Sequence, residues 1–327
     1  MRLTCGIALC TYNGQKFLEE QLASIIAQRQ LPDSIVICDD CSSDQTWEIL
    51  QAFETASPVP VKIVRHADRQ GVVRNFETAV GLLQTDIVFL CDQDDLWLPE
   101  KISTIAALFE SDHEATLVFT DAVLVDEQGQ ELGESLFSEL QISRSEEWAL
   151  SQGRAFEVLC RRNVITGATT AFRRSLLDAA LPFPASYLHD EWLGLLAAAT
   201  GKVVKLPEPT IKYRQHGNNV IGVKKLTSIE TLKRLRWSMN EARSRHFAAE
   251  RVDFRSALAK RLKLLPGTPG NIVQRCQKSL DFAQFRATLP RRFLLRLPAV
   301  ISIAVKGEYR QFEGSWKSAV FRDLVHK

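Results

Sequence analysis

A chain of 327 residues has room for one large domain or two modest ones, and its 45% hydrophobic and 24% charged residues describe a globular core rather than a disordered or fibrous chain. No run of 18 or more uncharged apolar residues occurs, which argues against a membrane-spanning helix, and the start Met1-Arg2-Leu3-Thr4-Cys5 lacks the layout of a secretory leader. The net charge of +2 conceals a division, because residues 1–223 carry 18 Lys/Arg against 31 Asp/Glu while residues 224–327 carry 23 against 8.

The first 125 residues alternate strand and helix patterns. Residues 3–9 read as a strand, and 17–28 as a helix with Leu18, Leu22, Ile25 and Ile26 on one face. Residues 34–38 form a second strand, and the polar run Ser43-Asp44-Gln45-Thr46 caps a helix through Trp47, Ile49 and Leu50. Strand 61–64, helix 75–83 and strand 86–90 follow, and Pro99 suits the first turn of a helix over 100–109. This alternation predicts an α/β fold with a parallel sheet covered by helices on both faces. Ligands of such sheets bind beyond the carboxyl ends of the strands. Three polar clusters fall there: Thr11-Tyr12-Asn13-Gly14, Asp39-Asp40-Cys41-Ser42 and Asp92-Gln93-Asp94-Asp95.

From 115 to 215 the pattern is mixed. Short strands are expected at 117–119 and 122–125 with a turn at 126–129, and residues 165–170 are small and strand-like. Leu181-Pro182-Phe183-Pro184 breaks the chain, and His189-Asp190-Glu191-Trp192 opens an apolar helix that stops at Gly201. Residues 202–206 and 210–213 read as edge strands. Beyond 224 the chain is basic and helical, over 227–264 and, after the break at 266–270, over 271–287. Residues 289–305 interleave Arg291, Arg292 and Arg296 with Phe293, Leu294, Leu295, Leu297, Val300, Ile301 and Ile303. The chain therefore divides into a domain at 1–223 and a basic helical region at 224–327. The latter either packs on the acidic domain or lies against an anionic membrane surface. No nucleic-acid-binding module is recognisable. The seven cysteines have no disulfide-framework spacing, and the Cys38/Cys41 pair lacks the second pair a zinc site needs, so a reducing cytoplasm is the expected setting.

Three carboxylates within four positions repel one another, so at least one should hold its proton too tightly. A hard divalent cation, Mg2+ or Mn2+, relieves that repulsion and bridges to phosphate oxygens. The competing reading of Asp94 and Asp95 is a cap on the helix after Pro99. Asp39-Asp40 is either an Asp-rich turn or a contact to the base or ribose of a nucleotide. Asp190 and Glu191 either stabilise the positive end of a helix dipole, or one of them is a general base. His216 is either an exposed loop histidine or a third metal ligand.

Taken in order, these stretches resemble the inverting glycosyltransferases of family 2, which have the GT-A fold. The resemblance rests on Thr11-Tyr12-Asn13-Gly14, Gln21-Leu22, Ser24-Ile25 and Gln28, on Asp39-Asp40-Cys41-Ser42-Ser43-Asp44, and on Gly71 with Asn75-Phe76. It continues through Cys91-Asp92-Gln93-Asp94-Asp95-Leu96-Trp97-Leu98-Pro99-Glu100-Lys101, Thr166-Gly167-Ala168-Thr169, Leu181-Pro182-Phe183-Pro184, His189-Asp190 and Tyr213-Arg214-Gln215-His216-Gly217-Asn218-Asn219. It covers residues 3–223. The Asp-Gln-Asp-Asp-Leu-Trp and Tyr-Arg-Gln-His-Gly forms are most similar to the rhamnosyltransferase-like branch that builds bacterial surface polysaccharides such as O-antigen.

The resemblance implies a nucleotide-sugar donor, a glycan or lipid-linked acceptor, and a divalent metal. Thr11, Tyr12, Asn13, Asp39 and Asp40 would lie at the nucleotide, with Arg74 facing the donor phosphates. Asp92 and Asp94 correspond to the family's DxD, Asp94 as direct metal ligand and Asp92 as ribose or sugar contact that can also reach the metal, with His216 the further ligand. Asp190 corresponds to the catalytic base. Two departures stand out. The usual Asp-Gly-Ser after strand two is Asp40-Cys41-Ser42 here, and the usual acidic residue before the base is His189, which leaves Glu191 a rival for the role. Other readings are a metal-dependent nucleotidyltransferase, for which Gly14-Gln15-Lys16 is too short a phosphate loop, and a non-catalytic sugar-nucleotide or glycan-binding protein.

Overall fold

The computed structural model describes residues 2–216, 241–290 and 292–325. The motif residues Gly217, Asn218 and Asn219, the helix expected from 227 as far as 240, and Arg291 lie outside the described residues.

The first five elements after β1 (Cys5–Thr11) keep the predicted alternation: α1 (Leu18–Ile26), β2 (Ser34–Asp39), α2 (Thr46–Ala56), β3 (Val61–Arg65) and α3 (Val72–Leu82). β4 (Ile87–Cys91) then pairs with β1 on the side away from β2. The strands β3, β2, β1 and β4 are parallel neighbours. Every residue of β1 and of β4 is buried, as expected when helices cover both faces. Because the chain leaves β1 to one side through α1 and returns to the other through α3, the carboxyl ends of β1 and β4 open a crevice between them.

The sheet then changes direction. After β5 (Leu96–Trp97) and α4 (Lys101–Ser111), β6 (Ala115–Val125) runs as one strand where two short ones were expected, and β7 (Glu131–Ser135) folds back on it. Next come α5 (Leu136–Glu139), α6 (Arg144–Ser151) and α7 (Ala155–Leu159). A 3-10 turn at Gly167–Thr169 leads into β8 (Thr170–Arg173), then α8 (Leu176–Ala180), α9 (His189–Thr200) and β9 (Lys202–Arg214). Among the described residues the sheet has nine strands, in the order β3-β2-β1-β4-β8-β6-β9-β5 with β7 beside β6. β8 is antiparallel to both β4 and β6, whereas β6 and β9 are parallel.

Two further expectations change with this half of the sheet. Of residues 165–170, Gly167–Thr169 form the 3-10 turn and only Thr170 is in a strand, where it pairs with Phe119. The segments 202–206 and 210–213 are one strand, β9, interior to β6 and β5. Its register skips from Leu206 opposite Thr120 to Pro209 opposite Asp121, so a bulge absorbs Pro207 and Glu208 where prolines would otherwise break the ladder.

The contacts divide the chain into two compact units, residues 1–155 with 164–223, and residues 156–163 with 224–327. The second unit thus takes up a short segment from the middle of the sequence. Its helices are α10 (Glu241–Leu264), α11 (Gly270–Ala287), α12 (Phe293–Val305), α13 (Glu308–Phe312) and α14 (Trp316–Val325). Phe282, Val300, Ile303, Tyr309, Phe312 and Ala319 form its core. Arg286 makes a two-point ion pair with Asp323, at 2.6 and 3.0 Å, and a 2.5 Å bond to Glu313. Arg251 and Arg255 approach the same Glu313 at 3.4 and 3.9 Å, so part of this unit's positive charge is matched inside it. Among the described residues no helix is long and apolar enough to cross a membrane.

Candidate active site

The carboxyl ends of β1, β2 and β4 carry the three polar clusters to one rim, and their side chains bind the loops to one another. Asp39 is fully buried and accepts bonds from the Thr11 hydroxyl at 2.9 Å, the Ser42 hydroxyl at 2.5 Å and the Ser42 N–H at 2.9 Å. Asp40 accepts the N–H groups of Gln70 and Gly71 at 2.6 and 2.9 Å, which fixes the start of α3. Asn75 donates to the carbonyls of Cys38 and Thr11, tying the ends of β2 and β1 together. Both aspartates are therefore built into the scaffold of the pocket they edge.

Asn13 and Cys41 both take positive φ, +47° and +63°. Asn13 offsets the cost by accepting the Ser43 N–H on Oδ1 at 2.9 Å while its own N–H donates to Ser42 Oγ. Cys41 occupies the left-handed position that glycine favours, so the departure from Asp-Gly-Ser keeps the turn and carries its strain. Tyr12 is exposed at the rim, with the Arg69 guanidinium 4.0 Å above its ring. Arg74 is on the first turns of α3, paired with Glu77 at 2.7 Å. Lys16, the lysine of the short phosphate-loop match, forms an ion pair with Glu127.

Gln93 links the two central loops. Its Oε1 accepts the Tyr12 N–H at 2.8 Å and its Nε2 donates to the Tyr12 carbonyl at 3.1 Å. Gly14 makes room for this amide, since a Cβ there would meet Gln93 Oε1 at 2.3 Å.

In the acidic cluster the three aspartates have different surroundings. Asp94 Oδ2 stands 2.8 Å from His216 Nε2. Asp95 is buried, and its Oδ1 accepts the Arg214 N–H at 3.0 Å from β9. Neither caps a helix: Leu96 and Trp97 pair with β9 before α4 begins, and Glu100 precedes α4 without a side-chain capping bond. Asp92 is part-buried, and burial together with Asp94 and Asp190 pushes its carboxyl up to about 7. Burial, Asp94 and Asp92 also raise the carboxyl of Asp95 well above its ordinary value. The repulsion expected from the sequence is thus present.

Asp190 begins the first turn of α9, where its Oδ1 accepts the Glu191 N–H at 2.7 Å and its Oδ2 accepts the Gly167 N–H at 2.9 Å. His189 stacks on Phe76 at 3.9 Å and 20°. Burial lowers its pKa, so the ring is neutral, and a carboxylate there would face an aromatic wall instead of water. Gly167 is required by this packing, because a Cβ would come within 2.9 Å of His189 Nε2.

Two cations that sequence reasoning passed over support the cluster. Lys101 is fully buried, donates to the Ala168 carbonyl at 2.6 Å and lies 4.2 Å over the Trp97 ring. Desolvation lowers its pKa to about 8, against the pull of Cys91, Asp95 and Asp92. Arg214 bonds the Asp94 carbonyl, the Glu127 carbonyl and the Glu20 carboxylate, holding β9 and the acidic loop in one position. Both residues stand within the quoted motifs; the signal that marks them is a basic residue inside a run otherwise destined for burial. The polar residues of α1 act similarly, with Ser24 receiving the Trp97 N–H and Gln28 bridging Leu98 and Ile102.

The donor chemistry suits a hard divalent cation. Asp94 and His216, whose Oδ2 and Nε2 are in hydrogen-bond contact at 2.8 Å, are the residues that would hold such a cation. Among the described residues no group of three or more His, Cys, Asp or Glu side chains could hold a metal ion. Mg2+ in phosphate-transferring sites asks for no more than one or two protein ligands beside substrate phosphate and water.

The family model described as glycosyl transferase family 2 matches residues 7–180, more than half of the chain. The chain belongs to glycosyl transferase family 2. Among relatives of this family 2 chain, an uncharacterised protein of Mycobacterium tuberculosis is 26% identical over 218 residues, 66% of this chain and 60% of its own length. The chain thus spans about three fifths of that relative. A dTDP-rhamnosyl transferase of Shigella flexneri, RfbG, is 28% identical over 220 residues, 65% of this chain and 73% of its own. A mannosyltransferase from Pyrobaculum calidifontis, solved with GDP-Man and Mn2+, superposes with a TM-score of 0.54 at 16% identity, covering 99% of this chain and 84% of that one. That likeness bears on fold, and with it the GT-A architecture is established for this family 2 domain.

Proposed function

We propose that this chain transfers a sugar from a nucleotide-sugar donor to a hydroxyl of a glycan or lipid-linked acceptor with inversion at the anomeric carbon, in the synthesis of a cell-surface polysaccharide on the cytoplasmic side of the membrane. The observation that carries it is the pairing of Asp94 with His216 at 2.8 Å in the acidic loop after β4, with Asp190 held at the start of α9 by the Gly167 N–H. A donor diphosphate needs a cationic partner at one end of this group, and an acceptor hydroxyl needs a base at the other.

Asp94 and His216 would hold a divalent cation, with Asp92 beside them; such a cation offsets the charge that develops on a departing nucleoside diphosphate. Tyr12 supplies an exposed ring for the base, and Asp39 and Asp40 hold the loops that flank it, within reach of base and ribose. Arg74, drawn from Glu77, faces the phosphates. Asp190 takes the proton of the acceptor hydroxyl as its oxygen attacks the anomeric carbon in line with the leaving oxygen, which inverts the configuration there. The bonds from Gly167 and Glu191 hold the Asp190 carboxylate in a fixed orientation at the start of α9.

The best-supported donor is dTDP-L-rhamnose, on the strength of the Asp-Gln-Asp-Asp-Leu-Trp and Tyr-Arg-Gln-His-Gly forms and of the Shigella relative. The test is to offer dTDP-rhamnose, UDP-sugars and GDP-sugars with and without Mn2+ and to follow nucleoside diphosphate release and product configuration. Consumption of dTDP-rhamnose that requires the cation supports the reading. Consumption of another donor corrects the sugar, and no turnover of any donor with metal and a lipid-linked acceptor present overturns the reading.

A further inference from the structure

We infer that the outward face of α12 rests on an anionic lipid surface. This helix is apolar on two sides. One stripe, Arg296, Val300 and Ile303, is buried, with the two aliphatics in the core of its own unit. The opposite stripe, Leu294, Pro298, Ile301 and Val305, recurs at helical spacing, and Leu294, Ile301 and Val305 are 80%, 50% and 81% exposed. Phe293 and Leu295, also exposed, widen it at the amino end.

The charges around this stripe select its partner. Arg292 and Lys306 are exposed at the two ends of the helix, and the sequence has no Asp or Glu between Asp281 and Glu308. Elsewhere in the unit acidic side chains meet cations, as Glu313 and Asp323 do; beside this face none is available from the same stretch of chain. A short helix with large aliphatics outward and cations at its ends fits the boundary between acyl chains and anionic headgroups, where it lies flat. At 13 residues, about 20 Å long, it is too short to span a bilayer, which takes about 20 residues. A protein partner would need an apolar groove framed by acid at both ends, whereas an anionic bilayer presents that combination everywhere. The inference does not depend on the donor or on transfer chemistry, and its test reads binding alone.

The experiment is co-sedimentation of the full chain with vesicles of phosphatidylcholine, with and without phosphatidylglycerol. Binding is expected on the mixed vesicles, weak binding on pure phosphatidylcholine, and release in about 0.5 M salt as the headgroup attraction is screened. Leu294→Ser and Ile301→Ser should each lower partitioning about tenfold, and Arg292→Glu or Lys306→Glu by about fivefold or more. Leu264→Ser, which removes an exposed leucine outside α12, should leave partitioning unchanged, and melting curves check that every variant folds. Absence of binding to the mixed vesicles at low salt overturns the inference. So does equal loss on Leu264→Ser, or a wild-type dimer in sedimentation equilibrium that Ile301→Ser splits, since the face would then join two copies of the chain.

Discussion

The amide of Gln93 should account for nearly all the cost of an alanine at Gly14, and a four-protein cycle can show it. Gln93 joins the acidic loop to the backbone of Tyr12 through two neutral hydrogen bonds at a partly exposed position. Such bonds contribute about 0.5–1 kcal/mol each, so Gln93→Ala should cost about 1–2 kcal/mol of stability. Gly14→Ala places a Cβ 2.3 Å from Gln93 Oε1 and 2.6 Å from its Cδ, and its three nearest atoms all belong to Gln93. Gly14 lacks a positive φ, so the substitution evicts the amide without straining the backbone and should cost about the same 1–2 kcal/mol. Once Gln93 is alanine the amide is no longer there to evict. Gly14→Ala in that background should then be neutral, or stabilise by about 0.4–1 kcal/mol through the stiffer unfolded chain. Urea unfolding of wild type, both single variants and the double variant measures the coupling. A nucleoside diphosphate titration should show the single variants weakened alike, by about fivefold to thirtyfold if Tyr12 must be held to receive the base. Losses that simply add would refute the reasoning, since the two residues would then act on different parts of the site.

Other outcomes follow from the same geometry. Asp190→Asn should lower transfer about 10²–10⁴-fold with nucleotide affinity nearly intact in calorimetry, while Glu191→Gln should keep most of the rate; the reverse pattern would move the base to Glu191. Asp94→Asn and His216→Ala should each weaken Mn2+ binding about 10–100-fold, read by electron paramagnetic resonance in the presence of a nucleoside diphosphate. Cys41→Gly should be neutral or slightly stabilising and Cys41→Val should cost about 1–2 kcal/mol, because the position has φ +63°; similar urea midpoints for the two would deny the strain. Burial holds His189 below its ordinary value of 6.5, so the unfolded ring binds a proton that the folded ring refuses. Stability from this group is present above about 6.5 and is lost as pH falls through the folded value. His189→Phe should therefore gain on wild type as pH is lowered from about 7.5 to about 5.5, and a constant difference in unfolding free energy would contradict this.

The first half of the fold was legible because β1, β2 and β4 are buried on both faces and its helices on one, so periodicity reports burial directly. The limits of legibility have physical causes. β5 is two residues long and exists only because Leu96 and Trp97 pair with Lys212 and Ile211, more than a hundred positions away. Pro207 and Pro209 divided β9 on paper, yet the bulge against β6 accommodates them. α6 is signalled by Ser143 and Glu146, whose spacing is that of the reciprocal capping box they form. Within the site, motif order singled out Asp92, Asp94, Asp190 and His216 as a group. It did not distinguish Asp94, bonded to His216, from Asp95, bonded to the backbone of β9, since that difference depends on where β9 passes. It also gave no sign that Lys101 is buried beneath the acidic loop or that Arg214 is bonded to three segments.

The central claim is that Asp94 and His216, at the rim of β1 and β4, bind a nucleoside diphosphate through a divalent cation. Calorimetric titration of the full chain with dTDP, UDP and GDP, each with and without Mn2+, tests it most directly. The account predicts that one nucleoside diphosphate binds far more tightly with Mn2+ present, and that Asp94→Asn removes the metal-dependent part while the chain stays folded. Binding indifferent to Mn2+ and to Asp94, or no binding of any of the three, would contradict it.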